Sequence, residues 1–213
     1  QNDASRAIME AGGPAALLDE MRQLRGELEE ESAAREQADA RAEFALTHDS
    51  LTGLVNRSRV NQLISAAIDH GQKANTGVAL FFLDFDDFKN VNDTHGHVAG
   101  DQFLRLVGDR LRRALDCDDC IARMGGDEFA VFSEDISDRK DAEIIAKALL
   151  AEIAKPCVIA GRDVVVTTSI GICLFPADAQ DAHTMIHYAD RAMYTAKQQG
   201  RNTYVFYTDD GSV

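Results

Sequence analysis

Apolar residues fall along this chain in two rhythms, and each rhythm predicts a different element. Short, nearly continuous apolar runs read as buried strands: Val78 to Leu83 ending in Asp84, Cys120 to Ala122, Phe129 to Phe132, and Thr203 to Tyr207. Val158 to Ala160 and Asp163 to Leu174 read as a further hairpin around Gly161. Runs with apolar positions three and four apart read as helices. They cover Arg57 to His70, a short stretch around Asp87 to Asp93, Ala99 to Leu115, Arg139 to Ala154 and Ala182 to Gln198. In the third, Phe103, Leu104, Val107, Leu111 and Leu115 form one stripe. Strands, hairpins and helices in this order predict an α+β fold with a central, mostly antiparallel sheet flanked by helices.

A long helix precedes that domain. From Pro14 to about Ala45 the only glycine is Gly26 and no further proline occurs, while residues 1–13 read as loosely ordered. Leu17, Met21, Leu24 and Leu28 follow four-three-four spacing, and Ala38, Ala42 and Ala45 return to that phase after Glu31 and Arg35 interrupt it. This is the pattern of a short coiled coil with a polar middle, or of a solitary amphipathic helix. The expected division is residues 1–46 as linker and helix and 47–213 as the globular domain. No internal repeat or low-complexity segment is evident.

The candidate chemistry lies in two acidic clusters. Arg123-Met124-Gly125-Gly126-Asp127-Glu128-Phe129 sits between two apolar runs, as a tight turn between strands would. Such a tip, with adjacent carboxylates and little bulk, suits a hard cation and a close phosphate, although Gly-Gly-Asp by itself is more often an ordinary turn. The second cluster is Asp84, Asp86 and Asp87 after the apolar run from Val78. These acids read either as a solvated loop with a helix N-cap or as carboxylates converging with the hairpin tip on one metal. Magnesium takes few protein carboxylates and fills much of its shell from substrate phosphates, which points to phosphoryl or nucleotidyl chemistry.

Taken together and in order, these segments resemble the GGDEF-domain diguanylate cyclases from about Thr47 to Phe206. The motifs are His48-Asp49-Ser50-Leu51-Thr52-Gly53-Leu54-Val55-Asn56-Arg57, then Asp84-Phe85-Asp86-Asp87-Phe88-Lys89-Asn90-Val91-Asn92-Asp93. Gly96-His97, Gly100-Asp101, the Gly125 to Phe129 signature and Ala196-Lys197-Gln198-Gln199-Gly200-Arg201-Asn202 complete the set. The resemblance implies the palm-like fold of nucleotide cyclases. It also implies condensation of two GTP into cyclic di-GMP with release of two pyrophosphates, in an active site formed between two facing domains. The alternative is a non-catalytic GTP-binding regulatory module of a larger signalling protein; such relatives usually lose signature acids, and none is missing here.

Residue by residue, the resemblance makes Asp84, Asp127 and the Phe85 carbonyl metal ligands for two Mg2+ per active site, with Mn2+ a substitute. Asp127 stands where many relatives have Glu. Glu128 takes either a metal or proton-accepting role or a supporting one. Lys89, in isolation a surface lysine, reaches the triphosphate as a point charge. Lys197 and Arg201, in isolation ordinary cations at a helix end, bind the terminal phosphates. Asn92 and Asp101 recognise guanine, and Phe88 and His97 border the nucleotide; His97 is better read as shaping the Gly96 turn. Asp49, Asn56 and Arg57 read as organisers of the junction before the first domain helix. Where many relatives carry an Arg-x-x-Asp product-binding site, this chain has Asp116-Cys117-Asp118-Asp119, so no product inhibition is expected there.

Composition narrows the partners. The chain has 213 residues, 45% hydrophobic, with a net charge of −14. Without a basic cluster, nucleic-acid binding is not expected. No apolar run approaches the roughly 20 residues that span a bilayer, and no secretory signal is visible, so no direct membrane contact is expected. The start at Gln1 suggests a piece of a longer bacterial cytoplasmic protein, with room upstream for a sensory or membrane-attached part. A homodimer through the N-terminal helix, with transient facing of catalytic domains, follows from the resemblance. The Cys117-x-x-Cys120 spacing lacks a second pair or a histidine ligand, so Cys117, Cys120, Cys157 and Cys173 are expected as reduced thiols.

Overall fold

The computed structural model describes residues 13–115, 117, 120–159 and 161–209. The chain divides into two units, Gln1–Ala45 and Leu46–Val213, each described by itself. Over its described residues the first is a single helix, α1 (Gly13–Thr47, running just past the division), on which Met21, Leu24 and Leu28 are exposed. The loosely ordered start expected over residues 1–13 lies outside the described residues, except Gly13, which opens α1.

The second unit begins with β1 (Val55–Asn56), α2 (Arg57–Ala74) and β2 (Gly77–Phe85). Then come α3 (Phe88–His95), α4 (His97–Leu115), β3 (Ile121–Gly125), β4 (Glu128–Ile136) and α5 (Arg139–Ile153). β5 (Cys157–Ile159), β6 (Arg162–Val164), β7 (Thr168–Phe175), α6 (Ala182–Gln198) and β8 (Thr203–Phe206) complete it. One six-stranded sheet has the order β1-β3-β4-β2-β7-β8. Its three central pairings are antiparallel and its two edge pairings parallel, so the sheet is mixed.

β2 lies between β4 and β7, and every residue from Val78 to Phe85 is buried, which is why the run reads as continuously apolar. α2 and α6 cover one face of the sheet, and α4 and α5 the other. α6 comes so close to β7 that a Cβ on Gly171 would collide with Ala189 O and Met193 N, both backbone atoms. Each covering helix whose start the sequence marks with Asn or Asp is capped by it. Asn56 accepts from the Arg59 N–H, Asp138 from Lys140 and Asp141, and Asp181 from Thr184.

Two expectations are corrected. Asp163 to Leu174 is not one strand: β6 pairs only with β5 in a separate two-stranded sheet, and β7 starts afresh at Thr168 in the main sheet. The break falls on Val165 to Thr167, where the Thr167 carbonyl accepts from the Asp86 N–H and draws the chain to the end of β2. The four cysteines are not all free thiols. Cys117 and Cys120 form a disulfide across the turn after α4, with Cα atoms 5.8 Å apart, while Cys157 and Cys173 are free and buried. Asp116, Asp118 and Asp119, on which the product-site expectation falls, lie outside the described residues.

The 49–54 loop is fastened to the β3–β4 turn by Arg123. Its Nη1 donates to both Asp49 carboxylate oxygens at 3.1 Å, and its Nε and Nη2 donate to Gly126 O at 3.0 and 2.8 Å. Burial pushes the Asp49 carboxyl up, but hydrogen bonds from the Thr52 hydroxyl and N–H and the Arg123 charge bring it below its ordinary value.

Two measurements follow. Gly171→Ala should lower stability by at least about 2 kcal/mol, because the collision is with helix backbone rather than a movable side chain, and a thermal melt reads it directly. Asp49 has a depressed folded pKa, so its contribution is present above the unfolded value of 3.8 and is lost as pH falls through the folded one. Asp49→Asn should therefore lower the urea midpoint at about pH 7, and the gap to the parent should narrow as the pH is taken below 3.8.

Candidate active site

The two acidic clusters meet because β2 and β4 are neighbours. Asp84 lies directly opposite Glu128 on β4 and Ser169 on β7, so the three share one face of the sheet, the face covered by α6. Asp127 follows at the tip of the β3–β4 turn, where Gly125 and Gly126 take φ values of 146° and 53° that only glycine accepts readily. The next signature residue, Phe129, is fully buried on the opposite face. Its ring lies 5.1 Å from Phe85, which also meets Phe103 of α4 at 5.1 Å edge-on and Phe88 of α3 at 6.4 Å. These rings bolt together the end of β2, the hairpin and both helices that carry the expected guanine contacts.

The carboxylates are in an unfavourable setting. Asp84 is 8% exposed. Burial raises its pKa, Asp127 and Asp86 add to that rise, and Lys197 opposes it. Lys197 Nζ sits 2.7 Å from Asp84 Oδ1, so the expected phosphate ligand is here the counter-ion of the expected metal ligand. Glu128 is also pushed up, first by burial and then by Asp190, Asp84 and Asp127, with Arg57 opposing. No group of three or more His, Cys, Asp or Glu side chains among the described residues is arranged to hold a metal ion. The expected set is smaller, two carboxylates and one main-chain carbonyl. A buried carboxylate crowded by two others is the environment that a divalent cation relieves, and oxygen donors suit magnesium, so the residues fit.

Asp86 has a different task from the one its cluster suggested. It is buried and accepts from Thr167 Oγ1 at 2.6 Å, Ser169 Oγ at 2.7 Å and the Asn202 N–H at 3.0 Å. It thereby fixes the left-handed turn at Arg201 and Asn202 that follows α6 and carries the second expected phosphate cation. Arg201 Nε reaches Asp87 Oδ1 at 4.0 Å, and Asp87, in the N-cap position of α3, makes no side-chain cap bond. The hydroxyl run Thr167-Thr168-Ser169, polar between two apolar segments, was the sequence signal for this anchor.

On the other side of the site, Lys89 is exposed and Phe88 buried at the start of α3. Asn92 projects against α4 at Gly100, beside Asp101: a Cβ on Gly100 would collide with Asn92 Oδ1 and lie 3.1 Å from Phe88 Cζ. Asp101 is exposed, and His97 is an exposed first residue of α4 following Gly96 at φ 85°. Behind Glu128, a cavity of about 310 Å³ is lined by Arg57, Asn61, His183, His187 and Asp190, among others. From sequence alone His183 and His187 read as structural or surface groups; their four-residue spacing on α6, with Asp190 three further on, is the signal that they share a face.

The family described as "Diguanylate cyclase, GGDEF domain" matches residues 46–203. The bifunctional diguanylate cyclase/cyclic di-GMP phosphodiesterase MucR of Pseudomonas aeruginosa is 41% identical over 160 residues, 75% of this chain and 23% of that protein. The diguanylate cyclase TpbB of the same species is 37% identical over 189 residues, 88% of this chain and 42% of that protein. The solved GGDEF domain of TpbB superposes with a TM-score of 0.73 at 38% identity, covering 76% of this chain and 94% of that one. The coiled coil and GGDEF domain of DgcB from Caulobacter crescentus, solved with c-di-GMP, superposes with a TM-score of 0.67 at 26% identity, covering 90% and 99%. This chain thus spans less than half the length of those curated relatives. With the acidic pair joined across β2 and β4, the glycine tip between them and the match over residues 46–203, the chain belongs to the GGDEF-domain diguanylate cyclase family.

Proposed function

We propose that the domain condenses two GTP molecules into cyclic di-GMP and two pyrophosphates. The observation that carries this reading is the alignment of Asp84 with Glu128 beside Asp127, with Lys197 on Asp84 and the Asn92–Asp101 side on the neighbouring helices. In each half-reaction a 3′-hydroxyl oxygen bonds to the α-phosphorus of the other nucleotide, the α–β phosphoanhydride bond breaks, and the hydroxyl proton leaves. Glu128, its pKa raised by burial and neighbouring acids, stands beside Asp84 in a position to receive that proton.

Asp84, Asp127 and the Phe85 carbonyl would hold Mg2+ or Mn2+, two ions per active site, which supply charge neutralisation at the phosphates and acidify the hydroxyl. Lys197 neutralises Asp84 and would turn towards phosphate when substrate and its metal ions supply the counter-charge. Arg201 and Lys89 serve as further cations for the triphosphate. Asp101 accepts from the guanine N1–H and exocyclic amine, donors that adenine lacks on that edge, and Asn92 fixes the base beside it.

One domain supplies one nucleotide site, so bond formation requires two domains facing each other. Lys89, Asp101 and Arg201 are exposed, which supports a site that opens onto a facing domain. The exposed Met21, Leu24 and Leu28 of α1 support pairing of that helix, which would raise the effective concentration of one domain near another. With no arginine at the product-binding position of the 116–119 window, the product should not bind there. The setting we propose is the bacterial cytoplasm; no described helix is long and apolar enough to cross a membrane.

The test is product formation from GTP and magnesium across a range of protein concentrations. Cyclic di-GMP with more than first-order dependence on protein, abolished by Asp127→Ala with the fold intact by circular dichroism, is expected. GTP binding without product would instead indicate a regulatory module. Gly100→Ala should displace the Asn92 carboxamide and raise the KM for GTP about tenfold, the worth of one recognition hydrogen bond, while leaving the melting temperature nearly unchanged.

A further inference from the structure

We propose that Lys197 competes with divalent cations for Asp84, so that metal and a polyphosphate bind this site as a unit and neither binds tightly alone. This competition presupposes Asp84 as a metal ligand, as proposed above, and sets the order in which ligands can bind. Lys197, in the last turn of α6, holds its Nζ 2.7 Å from Asp84 Oδ1. Only 11% of the Asp84 side chain and 29% of the Lys197 side chain are exposed, so water screens the pair weakly. Among the described residues Lys197 makes no other ion pair.

The pair is built into the sheet and its covering helix. Asp84 stands between Glu128 of β4 and Ser169 of β7. Gly171 of β7 admits the α6 backbone at Ala189 and Met193, where a side chain would collide, and Lys197 follows one helical turn after Met193. Main-chain packing thus brings the ammonium down onto the carboxylate. The partial negative charge of the helix C-terminus favours a cation at this position as well.

Replacing Lys197 by a divalent cation alone is a poor exchange. The protein offers that ion Asp84, Asp127 and the Phe85 carbonyl, fewer oxygens than it takes, and Lys197 is left partly buried with no acid to face. Polyphosphate alone fares no better: drawing Lys197 away leaves Asp84 crowded by the negative charges of Asp127 and Asp86. When both arrive, Asp84 passes to the metal and Lys197 to phosphate, and no charge is stranded. The ion pair therefore makes each ligand raise the affinity of the other by the same factor. Arg201 and Asp87 form a contrasting pair just beyond the same helix end. Their 4.0 Å contact joins side chains that are 52% and 76% exposed, and Asp87 is not among the expected metal ligands, so loosening it costs little.

Mn2+ binding to the full chain, read from the paramagnetic resonance of the free ion, tests this without turnover. Lys197→Gln should bind Mn2+ at least about tenfold more tightly than the parent, and Lys197→Gln with Asp84→Asn should lose the gain. Arg201→Gln removes the same charge from the same region and should keep Mn2+ affinity within about twofold of the parent. A second arm needs only the parent, because water proton relaxation separates Mn2+ held by protein from Mn2+ on free nucleotide. There the uncleavable α,β-methylene analogue of GTP should raise the affinity for Mn2+ at least about tenfold. Equal Mn2+ affinity in parent and Lys197→Gln, or an equal gain in Arg201→Gln, would overturn the proposal. So would Mn2+ bound by the parent as tightly without the analogue as with it. Cyclic di-GMP formed by the parent beside any of these results would leave the proposed function standing. The Lys197→Gln gain without any product would instead overturn that function and support the competition.

Discussion

A carboxylate placed in the central strand of a sheet sets the terms for the rest of this domain. Asp84 is flanked by strands on both sides, roofed by α6 and backed by a layer of phenylalanine rings, so water cannot solvate it as it would a surface acid. It must therefore be met by positive charge, and among the described residues Lys197 supplies it. Lys197 reaches it from α6, and the Gly171 contact allows that helix to come close enough. Arg123 fixes the hairpin tip that brings Asp127 alongside. A group that is costly to keep charged in such a setting is one that a cation relieves.

The interior is organised to hold that arrangement still. Phe85, Phe88, Phe103 and Phe129 come from β2, α3, α4 and β4 and touch one another beneath the site. Chemistry on the α6 face of the sheet is thereby referenced to packing on the α4 face. This explains why the signature ends in a buried aromatic residue: Phe129 reacts with nothing, and it sets where Asp127 and Glu128 stand.

Much of this was legible in the chain because it is written in local patterns. The helices over 57–74, 97–115, 139–153 and 182–198 follow their apolar stripes and caps, and β2 follows its apolar run. What could not be read were relations between distant residues. Nothing local distinguishes Asp86 from Asp84, since both are acids beside Phe85; only the hydroxyls of Thr167 and Ser169, some 80 positions away, make one a structural anchor. Lys197 was assigned to phosphate by resemblance, and its pairing with Asp84 depends on how closely α6 packs. The split between β6 and β7 was hidden because Val164 to Val166 is as apolar as a strand, while its course is decided by a bond to Asp86. The Cys117–Cys120 bond is not legible in the C-x-x-C spacing alone, which suits a metal site as well as a disulfide.

The turn that Asp86 holds has a consequence for how the domain moves. Asn202 donates its N–H to Asp86, and the next residue begins β8, so the stretch from Lys197 to Thr203 is a short elbow pinned where it enters the strand. One arm of the elbow carries Lys197 and Arg201 and the other forms the rim of the sheet. Any event at the rim that shifts the pin would also shift Lys197 and Arg201 against Asp84 and Asp87, and thermodynamic reciprocity requires the reverse as well. A single carboxylate accepting three hydrogen bonds thus ties the turn after α6 to the rim of the sheet, and Asp86→Glu, which lengthens the pin by one methylene, should loosen both together.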